Sequence, residues 1–298
     1  MKMIELPENF NYIAVFLTFA CQYDCTYCIN RHSELKPRQH LTPKEWINAL
    51  NHIEQKGIPF TLQGGEPTIY KGFYDVVNGI ERGRPIDLLS NGDFDPEVFI
   101  QNIKPERFKR EAPYASIRIS YHQAQEEFPT FVEKILKLKR YGYSIGVFEV
   151  DHPDYHKDVL YRQSVARAQD IDWRLKEFLG MWKGKLYGTF KYDKAVSSRT
   201  LSHCMCRTTE LLIDPAGKVF RCHSDLYSNR CSLGSIFDND IGKKLGKDKL
   251  CLVYGKCNAC DIKVKNNRFQ EWGHSSVVIS DLHEPYADNM EVVNGYES

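Results

Sequence analysis

Alternation of short strand-like and helix-like segments through the first 180 residues constrains this chain more than any other feature. The strand candidates are YIAVFLTF (12–19), PFTLQ (59–63), PIDLLS (85–90), ASIRISY (115–121), YSIGVFEV (143–150) and DWRLKEF (172–178). A helix between two strands carries the chain back so that they pair in parallel, with the helices outside the sheet. The pattern predicts an α/β fold whose parallel sheet is open or closed into a partial barrel. Helix boundaries are marked as well. Thr42 can cap, Pro43 suits a first helical position and Glu45 completes a capping box. In FPTFVEKILKLKRYGY, Phe131, Ile135 and Leu138 recur at helical spacing and Gly142 ends the run.

Two strands indicate their faces. In SIRISY, Ile117, Ile119 and Tyr121 share one side and Ser116, Arg118 and Ser120 the other. In DWRLKEF, Trp173 and Leu175 oppose Arg174 and Lys176. With the apolar sides against the helices, Arg118, Arg174 and Lys176 point into the concave interior, where cations suit carboxylates or phosphates of ligands. The alternative is that some of them end a strand in solvent.

The 298 residues fit one large α/β domain with a smaller appendage. A net charge of +1 recruits neither nucleic acid nor anionic membrane. The N-terminus lacks a signal-peptide cleavage site, and no apolar run reaches the roughly 18 residues of a membrane span. The expected location is cytoplasmic, where structural disulfides do not persist. Ten cysteines therefore need another account. Cys21, Cys25 and Cys28 form one group, and the other seven lie between Cys204 and Cys260. Two separate cysteine sites follow.

Beyond the sixth strand, MWKGKLYGTFKYDKAVSSRTLS interleaves glycines, cations and aromatics. That mixture can bind single-stranded nucleic acid, but the neutral total charge favours a linker with packed aromatics. ELLIDPAGKVFRCHSD then reads as a hairpin turning at Pro215 and Gly217. The last twenty or so residues are polar and read as a tail.

Three thiolates can hold a [4Fe–4S] cluster and leave one iron open for chemistry. Cys21-x3-Cys25-x2-Cys28, with Tyr27 before the last cysteine, resembles the motif of the radical SAM superfamily. The motif follows the first strand; the second runs into QGGEPT, similar to the family's Gly-Gly-Glu-Pro element, and the third ends in LLSNGD. A zinc site would want a fourth ligand, and His32 has no partner at finger spacing. A redox pair of Cys25 and Cys28 would leave Cys21 and the Gly-Gly-Glu-Pro stretch unexplained.

The resemblance implies a partial (β/α)6 barrel over residues 1–180. Cys21, Cys25 and Cys28 would hold the cluster, whose open iron would bind S-adenosylmethionine. Tyr27 lies within this cofactor site, and Gly64, Gly65, Glu66 and Pro67 would meet the methionine amino group. Arg118 and Ser120 would serve its carboxylate or ribose, with Ser90 and Asn91 nearby. Reductive cleavage, fed by a flavodoxin- or ferredoxin-type donor, would yield a 5′-deoxyadenosyl radical that takes hydrogen from substrate.

The second group resembles the twitch and SPASM extensions of that superfamily, small hairpin-plus-helix domains that bind an auxiliary [4Fe–4S] cluster. This implies a linker over 181–203, an auxiliary domain over 204–270 and a tail over 271–298. The candidate ligands are Cys204 or Cys206, then Cys222, Cys257 and Cys260. No cysteine follows Cys260, so the single-cluster twitch form is the nearer match. Cys231 and Cys251 are left over, Cys251 being near enough to Cys257 to substitute. Zinc is the alternative metal, since four thiolates suit both.

A closed auxiliary cluster would accept an electron from a substrate radical, so the expected reaction is an oxidation. With the first strand starting by about residue 10, no leader-binding domain is expected ahead of the barrel. The expected substrate is a small polar molecule, such as a sugar, amino sugar or cyclitol, with an anionic handle. Glu177, Tyr121, Glu149 and His122 are candidates for removing a proton. Rival readings are a peptide maturase, a protein-activating enzyme and a non-catalytic metal protein binding nucleic acid through residues 182–194. Molybdopterin-precursor cyclases share the two-cluster plan, but the ending VVNGYES lacks their Gly-Gly tail.

Overall fold

The computed structural model describes residues 2–30, 35, 38–192, 194–197, 202–265 and 274–281. His32 and most of the expected tail, including VVNGYES, lie outside these residues.

All six expected strands form: β1 (Tyr12–Thr18), β2 (Phe60–Gly64), β3 (Ile86–Ser90), β4 (Ile117–Tyr121), β5 (Ile145–Asp151) and β6 (Asp172–Glu177). They pair in parallel and in sequence order, β1 to β6. Between them run α1 (Pro43–Asn51), α2 (Phe73–Gly79), α3 (Pro96–Asn102), α4 (Phe128–Arg140) and α5 (His156–Arg167). The cap of α1 is the expected one. The Thr42 hydroxyl accepts the Glu45 N–H, and the Glu45 carboxylate accepts the Thr42 N–H at 2.7 Å. Such a cap stabilises a helix by about 1 kcal/mol.

The main core lies between sheet and helices. Phe131, Ile135 and Leu138 of α4 are buried there, as are Ile117, Ile119, Tyr121 and Trp173. Alternation along β4 therefore turns Arg118 and Ser120 to the concave side. All seven residues of β1 are buried, as expected of a central strand covered on both faces.

The C-terminal hairpin and helix also form, but not as an appendage. Strand β7 (Ser202–Thr208) leads into β8 (Glu210–Ile213), which pairs parallel with β1, Glu210 opposite Tyr12 and Ile213 opposite Val15. Strands β9 (Lys218–Phe220) and β10 (Gly234–Ser235) extend this edge, making one nine-stranded sheet. Four consecutive buried residues in β8 explain the placement, because an apolar strand finds both cover and backbone partners beside β1. Helix α6 (His223–Ser228) follows the hairpin. A second, antiparallel sheet places β7 between β11 (Lys249–Tyr254) and β12 (Val277–Ser280).

The expected linker is structured where described. Gly180–Trp182 and Lys185–Tyr187 form a hairpin, and Lys194–Ser197 is a helical turn. Residues 189–191 bond to 262–264, through Lys191 N–H to the Ile262 carbonyl and Val264 N–H to the Thr189 carbonyl, both 2.9 Å.

Candidate active site

The carboxyl ends of the six parallel strands open onto a cavity of about 500 Å³. This is the end at which open α/β sheets bind ligands. Its wall carries Cys21, Cys25, Tyr27 and Cys28 from the loop after β1, Gly64 and Gly65 from β2, and Ser90 and Asn91 from β3. Arg118, Ser120 and His122 come from β4, Glu149 from β5, and Lys176 and Glu177 from β6.

The two glycines are required by the approach of the cysteine loop. A Cβ on Gly64 would stand 2.0 Å from the Thr18 carbonyl oxygen, and one on Gly65 2.2 Å from that of Ala20. This contact is also bonded: Gly65 N–H donates to Thr18 and Glu66 N–H to Ala20, at 3.0 and 2.8 Å. The start of the cysteine loop is thereby fastened to the Gly-Gly-Glu-Pro turn.

Glu66 departs from the expected pairing with a ligand ammonium. Its carboxylate is fully buried and does not line the cavity. Oε1 accepts Thr68 N–H, Thr68 Oγ1–H and Ser90 Oγ–H at 3.0, 2.6 and 2.9 Å, and Oε2 accepts Asn91 N–H at 2.6 Å. Burial raises its pKa while these four donors oppose the shift. The side chain ties the end of β2 to the end of β3, and Pro67 starts a helical turn behind it. Asn91, held by this bond, directs Nδ2 to Cys21 Sγ at 3.8 Å.

Cys25 Sγ lies 3.4 Å from His122 Nδ1, and Tyr27 Oη lies 2.8 Å from the same nitrogen. The Tyr27 and His122 rings stack at 5.8 Å and 15°. Burial, with repulsion from Lys176, lowers the His122 pKa to about 4, so the imidazole is neutral at neutral pH. Burial, followed by repulsion from Cys28 and Cys21, pushes the Cys25 thiol up to about 12. Three thiolates crowded here repel one another, and iron cations relieve that repulsion, so the donor set fits a three-cysteine iron–sulfur site. Among the described residues no three His, Cys, Asp or Glu side chains converge closely enough to hold a single metal ion as they stand.

The remaining polar wall divides by partner. Arg118 donates to Asp87 at 2.9 Å, and Arg110 clamps the same carboxylate at 2.6 and 2.9 Å. Both guanidinium groups lie over the Tyr114 ring. Lys176 reaches the cavity with Nζ 4.6 Å from the Phe148 ring centre. Arg174 does not line the cavity; it bonds Asp172 at 2.9 Å and the Pro113 carbonyl at 3.2 Å. Glu149 accepts from Arg162 at 2.6 Å and from Trp173 Nε1 at 3.2 Å, and burial raises its pKa against the pull of Arg162. Glu177 accepts from Thr189 Oγ1 at 2.6 Å. The Tyr121 ring packs among Phe128, Phe131 and Trp173 on the helix side, and its hydroxyl donates to the Glu126 carbonyl at 3.0 Å. Tyr121 also lines the cavity.

The C-terminal segment supplies wall residues absent from the sequence reading: His223, Tyr227, Lys263 and Lys265. Lys265 pairs with buried Glu210, and His223 Nδ1 bonds Asp261 at 2.8 Å. Their signal lay in adjacency, since His223 follows Cys222 and Asp261 follows Cys260.

A second, small cavity is lined by Cys204, Cys206, Cys222, Cys251 and Cys257. Cys204 and Cys206 sit two apart on β7 and share a face, which is why spacing did not separate them. Cys251 on β11 stands directly opposite Cys204, and the two thiols hydrogen-bond. Cys260 lines the barrel cavity instead. Asn258 between them donates from Nδ2 to the Ile29 carbonyl at 3.3 Å, joining this segment to the first cysteine loop.

The Radical SAM superfamily pattern matches residues 15–176. A Methanocaldococcus jannaschii protein named for glycyl-radical enzyme activation, MJ1227, is 27% identical over 147 residues, 46% of this chain and 58% of that one. A GTP 3',8-cyclase of Clostridium perfringens is 23% identical over 236 residues, 72% of this chain and 67% of that one. The chain therefore spans under two thirds of the first relative and about two thirds of the second. Among solved structures, BtrN in complex with AdoMet and 2-DOIA aligns with a TM-score of 0.45 at 15% identity, covering 81% of this chain and 83% of that one. Native anSMEcpe with bound AdoMet aligns with a TM-score of 0.49 at 12% identity, covering 79% and 82%. With the family pattern spanning β1 to β6 and the cysteine motif at the carboxyl end of β1, the chain belongs to the radical SAM superfamily, whose members work with a [4Fe–4S] cluster and S-adenosylmethionine.

Proposed function

We propose that this enzyme oxidises a small polar substrate inside the barrel cavity and passes the second electron to an auxiliary iron–sulfur cluster in the Cys204–Cys257 cavity. The observation that carries the reading is the join between the two cysteine sites. Cys21, Cys25 and Cys28 line the barrel cavity, and the segment from Cys257 to Lys265 reaches from the second thiol group to that same cavity. An electron leaving a substrate held between them has a short route outward.

The first cluster supplies hydrogen-atom abstraction through S-adenosylmethionine when both are bound. The chain's own residues do the rest. Gly64 and Gly65 present backbone to the methionine end, while Ser90, Asn91, Arg118 and Ser120 line the wall beside it. The volume, about 500 Å³, lies within the range of small-molecule sites, about 300–1,000 Å³. Lys176 and Lys263 give the wall positive charge for a carboxylate or phosphate handle. Glu177 is the acceptor for the substrate proton. Its carboxylate is bonded by one residue, Thr189, whereas Glu149 is held by both Arg162 and Trp173.

For the second cavity we assign Cys222, Cys251 and Cys257 with Cys204 or Cys206. Burial pushes the Cys206 and Cys222 thiols up, and the Arg221 guanidinium opposes that shift at both. Iron rather than zinc follows from a role in accepting electrons. A flavodoxin- or ferredoxin-type protein is the proposed electron donor. Anaerobic reconstitution tests the whole reading. Reduced protein given S-adenosylmethionine should release 5′-deoxyadenosine, Cys25→Ala should abolish release, and iron should exceed four per chain, about the content of one cluster. Release of 5′-deoxyadenosine with iron for a single cluster would remove the auxiliary site.

A further inference from the structure

We propose that the Tyr27 hydroxyl and the His122 imidazole form a single donor unit on Cys25 Sγ that sets the reduction potential of the cluster held by Cys21, Cys25 and Cys28. Two contacts meet at His122 Nδ1, which is 3.4 Å from Cys25 Sγ and 2.8 Å from Tyr27 Oη, and they bring the Tyr27 hydroxyl beside the same sulfur. A tyrosine hydroxyl and a neutral imidazole each carry one proton to donate. The arrangement that uses both sends Nδ1–H to Oη and Oη–H to the thiolate. Each bond then polarises the next.

The geometry is built rather than incidental. The Tyr27 and His122 rings lie near parallel, and Tyr23 meets the imidazole edge-on at 5.7 Å. The imidazole thus contacts two rings of the cysteine loop. It is delivered from the end of β4, where Tyr121 is locked on the helix side among Phe128, Phe131 and Trp173, so the next residue turns to the cavity. Asn91 reaches Cys21 in the same way from the end of β3. Hydrogen bonds to ligand sulfurs draw electron density from a cluster and make it easier to reduce.

The proposal rests on the three-cysteine reading, and its test separates the two. The enzyme is reconstituted anaerobically and titrated potentiometrically, following the electron paramagnetic resonance signal that changes when S-adenosylmethionine is added. His122→Phe keeps the ring and loses the donor. It should shift the one-electron equilibrium at least tenfold toward the oxidised form, a midpoint about 59 mV more negative. Tyr27→Phe should shift it in the same direction. The double variant should add little to either, because the two residues act as one unit. His122→Asn, which restores an N–H near the Nδ1 position, should recover most of the shift. In protein labelled with 15N-histidine, pulsed resonance should show a nitrogen coupling in wild type that His122→Phe lacks. Unchanged midpoints in variants with full iron content would overturn the proposal and leave the cluster reading intact. Absence of the responsive signal from wild type would instead overturn the cluster reading, and the donor unit with it.

Discussion

Asn91 N–H donates to Glu66 Oε2 across 2.6 Å, so a backbone group at the end of β3 is held by a buried carboxylate from the turn after β2. Oε1 of the same carboxylate meets the Thr68 N–H at 3.0 Å. In Glu66→Gln, whichever way the amide turns, its NH2 faces a backbone donor. The expected cost is about 1–3 kcal/mol. Urea unfolding should show a lower midpoint with the slope unchanged, and S-adenosylmethionine should bind more weakly. Wild-type stability in this variant would mean that the carboxylate is not the tie described.

Gly65→Ala tests the fastening of the cysteine loop. The new methyl would lie 2.2 Å from the Ala20 carbonyl oxygen, a backbone atom that moves only with the loop. Overpacking of this kind costs about 1–3 kcal/mol. Iron retention at the first site should fall more steeply than secondary structure, measured by iron assay against circular dichroism. Equal losses would point to general unfolding.

Cys251→Ala and Cys260→Ala divide the two assignments of the second site. Cys251 faces Cys204 in the small cavity and Cys260 faces the barrel. Iron analysis should find the second-site content lost in the first variant and kept in the second. The reverse pattern would restore Cys260 as a ligand.

Glu177→Gln removes the proposed acceptor without removing cofactor ligands. The expectation is 5′-deoxyadenosine formation near the wild-type rate with product formation at least tenfold slower. Equal slowing of both would show that Glu177 acts before hydrogen abstraction.

Glu149 gives a pH signature. Its folded pKa is raised by burial, so the folded state binds the proton more tightly than the unfolded one. The resulting stability is complete below the unfolded value, about 4.3, and is lost as pH rises through the folded value. Glu149→Gln lacks this term. Between pH 4 and 7, melting temperatures of wild type should fall relative to those of the variant, and a constant difference would count against the shift.

The six strands were legible because each is a short apolar or alternating run bounded by turn residues, and the capping box of α1 is local. Residues such as Arg118 and Ser120 could be placed from alternation alone. Joining β8 to β1 was not legible, because nearly 200 residues separate Tyr12 from Glu210 and no local pattern records such a pairing. For the same reason the Cys-x2-Cys spacing put Cys257 and Cys260 together, whereas the short helix at Ala259–Ile262 turns them toward different cavities. The four donors around Glu66 were not legible, because sequence shows a carboxylate but not what surrounds it.

With β8 paired to one side of β1 and β2 to the other, the cysteine-loop strand has no free edge. The C-terminal third is therefore a structural flank of the catalytic strand, and the chain cannot be divided into interchangeable cassettes. A fragment ending near residue 180 would bare the edge of β1 along Tyr12–Val15 and invite strand-to-strand association. Grafting this C-terminal region onto another barrel would require matching the edge of β1, residue by residue.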